Sequence, residues 1–390
     1  MSERDYYCSM KFRAMKIDTE RKLTYNCDPA TPQNINFEWL EKNPGQLFNT
    51  PLVVQERQLM LDNKRNTSCE NCCFQAEDSG AVSPRILRRG YNKTHDEIYT
   101  QPEIIDLTIG SDCNLTCSYC VKEYSSAWRR DLLTNGNYNL NTVDDRYTIN
   151  IKDQIVDKSS QPDRLTTQHF QTLLKEIKLM AGSLKTVIIT GGEPLLNNSL
   201  LEILDNLANV PDVEIFTGLG VDNKRFVRLI EQLPQRPNVR ITISAEATEK
   251  IYEFNRYGAQ WADVLTKIQI LEKNNIKYRF RSTLSNLTVV DYGKFKKMIG
   301  KHEDEFDLVY QPNFMAVYVL DDNTKQRVID DLNAYDTPGK DQIIKSILVE
   351  PTEQQRMNIR DFLKEFTRRR PNLDITIYPK EFLNWIEYVV

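Results

Sequence analysis

The chain has 390 residues, 40% of them hydrophobic and 27% charged, with a formal net charge of −4. This is the composition of an ordinary globular protein, long enough for two or three domains. The net negative charge argues against a nucleic-acid partner. No run of about 18 apolar residues indicates a membrane span, and the first residues lack the apolar core of a signal peptide. A cytoplasmic, reducing compartment is therefore expected.

Residues 1–100 show no regular alternation of strands and helices and contain five of the eight cysteines. The segment between Cys8 and Cys27 predicts a hairpin, with Ile17 and Leu23 flanking its turn. We therefore expect a small, irregular, cysteine-rich amino-terminal domain.

Residues 101–320 alternate β-branched runs with amphipathic helical patterns. The predicted strands are Ile104–Ile109, Thr186–Thr190, Val213–Thr217, Val239–Ser244, Tyr278–Thr283 and Leu308–Gln311. Helical patterns lie around Phe170–Ile177 and over Asn223–Leu233, Trp261–Leu271 and Tyr292–Ile299. Strands joined by helical crossovers predict an α/β fold, a partial (β/α)6 TIM-like barrel whose active site lies at the carboxyl ends of the strands.

Two segments depart from this pattern. Residues 121–164 contain no clear crossover helix, and we interpret them as a substrate-facing insertion. Residues 321–390 predict a mostly helical extension with a helix over Glu353–Arg369 and a short strand over Asp374–Tyr378. The basic run Arg368–Arg370 is expected to be a solvated helix face.

Three cysteines lie within eight residues, directly after the first strand of the predicted barrel: Cys113, Cys117 and Cys120. In a reducing compartment, cysteines are more often ligands than disulfides. Three thiolates can hold a [4Fe–4S] cluster and leave one iron free for a substrate's amine and carboxylate. A zinc knuckle is the alternative, but structural zinc prefers four ligands.

A second motif, Gly191-Gly192-Glu193-Pro194, follows the strand Thr186–Thr190. Two glycines let the backbone approach a ligand closely, and a carboxylate accepts hydrogen bonds from an ammonium group. Taken alone, the motif could also be an ordinary strand-to-helix turn.

Together the two motifs resemble the radical S-adenosylmethionine (SAM) superfamily, whose signature is C-x3-C-x-aromatic-C after the first barrel strand. Tyr119 fills the aromatic position. The resemblance implies an enzyme whose catalytic [4Fe–4S] cluster, held by Cys113, Cys117 and Cys120, is reduced by a donor such as a flavodoxin or ferredoxin. Reductive cleavage of SAM then produces a 5′-deoxyadenosyl radical that removes hydrogen from a substrate.

The resemblance also implies the residues that contact SAM. Gly191, Gly192 and Glu193 would contact the amino group, Ser244 and Glu246 the ribose, and Arg281 the carboxylate, with Arg279 as the competing choice for that last role.

The amino-terminal cysteines Cys8, Cys27, Cys69 and Cys72 suit a fully ligated site. They resemble the SPASM/twitch module, which holds an auxiliary [4Fe–4S] cluster but usually follows the barrel, whereas here it would precede it. Cys73 competes with Cys72 as a ligand, and a structural zinc site is the alternative.

The substrate class follows only from the extra segments. The insertion and the amino-terminal domain favour a peptide or protein side chain as the substrate. The alternative is a small-molecule alcohol, and the chain would then be an alcohol dehydrogenase of the radical SAM type. A cluster-binding barrel without turnover and a non-enzymatic, zinc-stapled interaction scaffold are the remaining alternatives.

Overall fold

The computed structural model describes residues 6–27, 31–78, 83–87, 96–149, 167–334 and 339–388. The chain divides into two compact units. The first comprises Met1–Gly110, Gln161–Ile215 and Arg236–Arg240, and the second Ser111–Ser160, Phe216–Gln235 and Ile241–Val390. This division groups residues by compactness alone, so the three functional domains expected from the sequence stay a prediction.

A mostly parallel sheet is the centre of the fold. Its strands are β1 (Ala14–Asp18), β2 (Leu23–Tyr25), β3 (Gln33–Asn34), β4 (Ile104–Thr108), β6 (Thr186–Thr190), β7 (Asp212–Thr217), β8 (Val239–Ser244), β10 (Tyr278–Leu284) and β11 (Asp304–Leu308), while β5 (Thr116–Cys117) and β9 (Arg256–Tyr257) form a separate pair. The nine-stranded order within the described residues is β11-β10-β8-β7-β6-β4-β1-β2-β3. The α/β class is confirmed, and the sheet is consistent with a radical SAM barrel.

The first five predicted barrel strands are found within one residue of their expected bounds, because each is a short run rich in the β-branched or aromatic residues that favour strands. In β6 the side chains of Val187 and Ile189 are fully buried. Thr186, Ile188 and Thr190, on the other face of this strand, are only partly buried.

The sixth predicted strand was wrong in position, because β11 covers Asp304–Leu308 and not residues 308–311. Its sequence, DEFDL, looks like a turn. As the last strand of the sheet, β11 exposes alternate residues, and charged side chains are typical of such an edge.

The α-helices have amphipathic sequences, and the helices predicted in the barrel are confirmed. The described α-helices are Met10–Arg13, Phe37–Lys42, Pro51–Leu61, Gln75–Asp78, Pro84–Leu87, Ser126–Asn135, Thr167–Met180, Leu200–Asn206, Asn223–Ile230, Glu249–Asn255, Trp261–Lys273, Val289–Ile299, Asp322–Ala334, Lys340–Ile347, Glu353–Arg368 and Lys380–Trp385, and a π-helix covers Glu70–Phe74. None of the described helices is both long and apolar enough to cross a membrane.

The amino-terminal segment is more regular than expected. The predicted hairpin is present, since β1 and β2 pair antiparallel with Asp18 opposite Leu23. However, β1 also pairs parallel with β4, so this segment extends the central sheet. Tertiary pairing of this kind leaves no local periodicity, which explains why the sequence indicated an irregular domain.

A buried arginine ties the amino-terminal segment together. Arg57 in the helix Pro51–Leu61 is fully buried. Its guanidinium donates to the carbonyl oxygens of Lys11, Phe48 and Ile98 at 2.8, 2.9 and 3.0 Å and to Asn49 Oδ1 at 2.7 Å. One cation therefore satisfies acceptors from four separate positions of the chain.

We expect Arg57→Met to lower the free energy of unfolding by at least about 3 kcal/mol, because it leaves several buried acceptors without a donor. Denaturant titration followed by circular dichroism measures the effect. The control Lys64→Met removes a charge from an exposed side chain and should change stability by less than about 0.5 kcal/mol. Equal effects of both substitutions would contradict the prediction.

The expectation of no helix in residues 121–164 was wrong for the described part of that segment. A helix covers Ser126–Asn135, and the Ser125 side chain caps it by accepting from Trp128 N–H. Only Trp128 and Leu132 are buried on this helix, one turn apart, which is too sparse a pattern to stand out. The predicted substrate-facing role also concerns residues 150–164, which lie outside the described residues.

The carboxyl-terminal extension is mostly helical as predicted, but the expected strand over residues 374–378 is a 3-10 turn at Ile375–Ile377. The basic run is also not a solvated face. Arg368 is exposed, whereas Arg369 lies 4.0 Å from the Tyr138 ring centroid and pairs with Asp131. Arginine can be buried in this way because its planar cation stacks on aromatic rings.

Candidate functional site

The cysteine triplet lies on a loop that packs against the start of the helix Ser126–Asn135. Cys113 N–H donates to Ser126 Oγ at 3.0 Å, and Ser125 Oγ donates to the Leu115 carbonyl at 2.9 Å. Leu115 N–H donates to Cys113 Sγ at 3.4 Å. The serines that begin the helix therefore also hold the loop, and one side of the Cys113 thiol is oriented by backbone.

Cys117 is held by the short antiparallel pair of β5 and β9, in which it lies directly opposite Arg256. Trp128 Nε1 donates to the Cys117 carbonyl at 2.8 Å. Arg370, which is buried, donates to Thr116 Oγ1 at 3.2 Å. These contacts hold the Cys117 carbonyl and the neighbouring Thr116 side chain without using the Cys117 sulfur.

Two glycines allow neighbouring segments to approach the loop closely. Gly258 has φ = +104°, and a Cβ at this position would lie 2.9 Å from the Asn114 carbonyl oxygen. A Cβ at Gly220 would lie 2.8 Å from Asn114 Oδ1. A larger residue at Gly258 would therefore displace the backbone of the loop that carries the thiols, and one at Gly220 would displace the Asn114 side chain.

Cys120 is close enough to influence the charge of Cys117, and Cys113 is close enough to influence that of Cys120. Burial raises the pKa of Cys117 to about 12, and Arg256 opposes this shift. Burial likewise raises the pKa of Cys120 to about 12, with Cys113 as the next cause. Cys113 and Cys120 are partly exposed, while Cys117 is buried.

This donor set fits an iron–sulfur cluster, which is held by thiolates that each bind a different iron. In the described part of the chain, no group of three or more histidine, cysteine, aspartate or glutamate side chains is arranged to hold a metal ion. Three thiols on one anchored loop are nevertheless the donors that a cluster requires.

The predicted ribose contact Glu246 is fully buried beside this loop. Arg256 donates to it twice, from Nε to Oε1 at 3.0 Å and from Nη2 to Oε2 at 2.6 Å. Tyr119, the aromatic residue of the motif, donates its hydroxyl to Glu246 Oε1 at 3.3 Å. Burial by itself would lower the pKa of Arg256, but Glu246, Tyr119, Cys117 and Tyr252 together raise that pKa well above its usual value.

The structure therefore gives Glu246 an ion-pair partner, and its ribose contact stays a prediction. Ser244 ends β8, with its Cα opposite that of Arg281 in β10. Arg281 pairs with Glu305 and Asp307 of β11. Its competitor Arg279 is buried and pairs with Glu303 and Glu305. Both guanidinium groups are thus paired with acidic residues in or next to the edge strand β11. The contact of either arginine with the SAM carboxylate stays a prediction.

The glycine motif follows β6 and packs on the end of β4. Gly191 has φ = +146°, and a Cβ there would lie 2.7 Å from the Gly110 carbonyl oxygen. Gly192 N–H donates to the same oxygen at 3.0 Å. Glu193 is buried, and its Oε1 accepts from Leu195 N–H at 3.1 Å. The turn is thus built around a backbone contact that only glycine permits.

Residues 107–300 match the family model described as Radical SAM superfamily. The chain contains a radical SAM domain. It covers the triplet, the glycine motif and the buried pair of Glu246 and Arg256. No curated protein matches the chain.

Several solved structures are similar to the chain at low identity. Native anSMEcpe with bound AdoMet is 15% identical, with 63% of this chain and 63% of that chain covered and a TM-score of 0.37. SuiB of Streptococcus suis bound to the precursor peptide SuiA is 12% identical, with 97% and 78% covered and a TM-score of 0.35. SuiB bound to S-adenosylmethionine is 10% identical, with 77% and 62% covered and a TM-score of 0.31. The chain thus spans just under two thirds of the anSMEcpe structure.

A second group of thiols lies in the first unit. One small pocket there is lined by Cys8, Lys11, Cys27, Cys69, Cys73, Phe74 and Arg85. Burial raises the pKa of Cys8 to about 11, with Cys69 and Cys73 as further causes. The side chain of Cys72, the ligand preferred from the sequence, lies outside the described residues. Three of the four predicted ligands are therefore found together, with Cys73 beside them.

Sequence reasoning missed the cations that surround both groups of thiols. Lys11 is buried in the amino-terminal pocket and pairs with Glu56 at 2.7 Å. Arg85 pairs with Glu77 and donates to the Tyr7 carbonyl at 2.9 Å. Arg256 stands 139 residues along the chain from Cys117. The spacing of residues in the sequence could not have predicted these contacts, because most of them join positions that are far apart along the chain.

Proposed function

We propose that the chain is a radical SAM enzyme that holds a [4Fe–4S] cluster on Cys113, Cys117 and Cys120. The observation that carries this proposal is the anchored triplet loop inside the radical SAM domain. When bound, the cluster supplies the electron that cleaves SAM to methionine and a 5′-deoxyadenosyl radical, which then takes hydrogen from the substrate. An external one-electron donor, such as a flavodoxin or ferredoxin, would deliver that electron.

The chain's own residues would bind and orient SAM and exclude water, since the cofactor carries the difficult chemistry. Gly191 and Gly192 leave their backbone uncovered by side chains, as close approach of the SAM amino group requires. Glu193 would accept from that amino group, and Ser244 would contact the ribose. Arg281 or Arg279 would contact the SAM carboxylate, and the guanidinium that does so would leave its acidic partners.

The proposed substrate is a peptide or protein side chain. The amino-terminal domain and the insertion over residues 121–164 support this proposal, because binding a small alcohol would not require such additional segments. A small-molecule alcohol dehydrogenase of the radical SAM type is the alternative. Detection of deuterium in 5′-deoxyadenosine from deuterated peptide or alcohol pools would distinguish the two.

The test of the proposed function is the iron, sulfide and zinc content per chain after anaerobic reconstitution, together with 5′-deoxyadenosine formation. We expect about eight irons in the wild type and about four when all three triplet cysteines are alanine, if each site holds a four-iron cluster. About four irons falling to none, with one zinc retained, would keep the enzyme and make the amino-terminal site structural. Zinc alone in both proteins would favour the non-enzymatic scaffold.

We also propose that the amino-terminal pocket holds an auxiliary [4Fe–4S] cluster. Cys8, Cys27 and Cys69 line it together with two buried cations, Lys11 and Arg85. Cations near a cluster balance the negative charge of its thiolates. A zinc site with the same cysteines is the alternative.

Substitutions at two neighbouring cysteines would identify the fourth ligand of the proposed auxiliary cluster. We expect one of Cys72→Ser and Cys73→Ser to lose about four irons per chain while the other keeps them, because a four-iron cluster takes four thiolates. Iron analysis and electron paramagnetic resonance measure the loss, and the unaffected variant is the matched control. Full iron content in both variants would contradict a four-cysteine cluster.

A further inference from the structure

Arg256 is a buried, positively charged side chain that approaches a sulfur of the triplet. It lies opposite Cys117 in the β5–β9 pair, and its Nη1 is 4.0 Å from Cys117 Sγ. Non-covalent contacts to the sulfurs of a cluster, together with net charge and burial, set its reduction potential. The position of Arg256 therefore bears on the reduction potential of a cluster bound at the triplet.

Glu246 fixes the orientation of this cation. It accepts from Nε and Nη2 of Arg256, at 3.0 and 2.6 Å, which leaves Nη1 directed at the sulfur. Both side chains are buried, at 6% and 0% exposure. A bidentate arginine–carboxylate pair has a fixed geometry, and burial reduces the screening of its charges by water. The pair is thus a rigid, unscreened element beside one thiol.

Other cations near the loop have different contacts. Arg370 donates to Thr116 Oγ1, to the Tyr138 hydroxyl and to a backbone carbonyl. Lys122 donates to the Thr148 carbonyl. Among the contacts in the part of the chain that the structure describes, the 4.0 Å approach to a triplet sulfur belongs to Arg256.

We propose that Arg256 raises the reduction potential of the cluster bound at the triplet, and that Glu246 sets the size of this effect by holding and partly neutralising the guanidinium. The proposal rests on the proposed function, since it requires a cluster at Cys117. Arg256 acts as a positioning and charge-stabilising residue and does not bind iron.

The electron balance is simple. One electron passes from the external donor, which is oxidised, onto the bound cluster, and no covalent bond of the protein forms or breaks. The added negative charge is spread partly over the sulfur ligands. Arg256 lowers the free energy of that reduced state through the Cys117 sulfur, whereas the carboxylate of Glu246 raises it from farther away.

The test is a potentiometric titration of the reconstituted full chain, followed by electron paramagnetic resonance of the reduced cluster. A Cys8→Ala/Cys27→Ala background removes the signal of the amino-terminal site. We expect Arg256→Gln to shift the midpoint to a more negative potential, so that the ratio of reduced to oxidised cluster at a fixed potential falls about tenfold, or ~59 mV for one electron. Glu246→Gln should shift it in the opposite direction.

Two further variants serve as controls. Arg256→Lys keeps the positive charge and should shift the midpoint less than Arg256→Gln does. Lys250→Gln removes a positive charge from an exposed side chain of the helix Glu249–Asn255, which directly precedes Arg256. This substitution should leave the midpoint potential unchanged. Opposite shifts for Arg256→Gln and Glu246→Gln would not be expected from a merely structural role.

The outcomes separate the two proposals. A wild type without a cluster would refute the proposed function itself. A wild-type cluster with the same midpoint in Arg256→Gln would refute only the role of Arg256. Loss of iron from Arg256→Gln, or shifts of the same sign in the Arg256→Gln and Glu246→Gln variants, would also overturn it, because Arg256 would then only support the loop.

Discussion

Replacing Cys117 with alanine should remove about four irons per chain and reduce formation of 5′-deoxyadenosine to the uncatalysed background. The effect should be large because the Cys117 thiolate is one of the three proposed cluster ligands, and the other two, Cys113 and Cys120, would already be bound to iron. The loop itself should survive, since Trp128 and Arg370 hold it through the backbone and Thr116. Iron analysis and chromatography of the SAM products after reduction with dithionite measure both effects.

The matched control for this prediction is Cys27→Ala, which removes a buried thiol of the amino-terminal pocket. It should lower the iron content while SAM cleavage at the triplet continues. A Cys117→Ala protein that still produces 5′-deoxyadenosine at the wild-type rate would refute the assignment of the catalytic cluster. Loss of SAM cleavage in both variants would show that the two sites are not independent.

Replacing Gly191 with alanine is expected to weaken SAM binding by at least about tenfold and to destabilise the fold by about 1–3 kcal/mol. The residue has φ = +146°, and the added methyl group would meet the Gly110 carbonyl oxygen at 2.7 Å. Backbone atoms cannot yield as a flexible side chain can, so β4 and β6 must move apart at their carboxyl ends. Isothermal titration with SAM and thermal unfolding measure the two effects.

Gly182→Ala is the matched control, because a Cβ at Gly182 would have no other atom within 4 Å. That substitution should leave SAM affinity unchanged and alter stability by less than about 0.5 kcal/mol. If Gly191→Ala unfolds and binds SAM as the wild type does, the turn is not the close-approach element that we propose. If it is destabilised yet binds SAM normally, its role is structural alone.

The central strands could be predicted because their signal is local. The run TVIIT of β6 and the run VRITIS of β8 consist largely of β-branched residues, and such residues favour strands wherever both faces are covered. The edge strand β11 follows a different rule, since its acidic residues pair with Arg279 and Arg281 of β10. This strand forms because a partner strand pairs with it. The prediction from its own sequence therefore placed its start four residues too late.

The arginines show the same limit. Arg369 and Arg370 look like part of a solvated basic run, yet one stacks on Tyr138 and the other donates to Thr116 beside Cys117. Arg256 has no neighbours in sequence that indicate a functional role. Whether an arginine is solvated or buried depends on the carboxylates and rings that the fold brings to it.

The sequence by itself determined the resemblance to the radical SAM superfamily, because three cysteines at fixed spacing after a strand and two adjacent glycines after the next are local patterns. Such spacing places ligands on one loop whatever the rest of the chain does. Only the tertiary structure decided which groups surround the thiols. The pairing of β5 with β9 sets Arg256 opposite Cys117 across 139 residues, and the register of two distant strands is not encoded in the neighbours of either one.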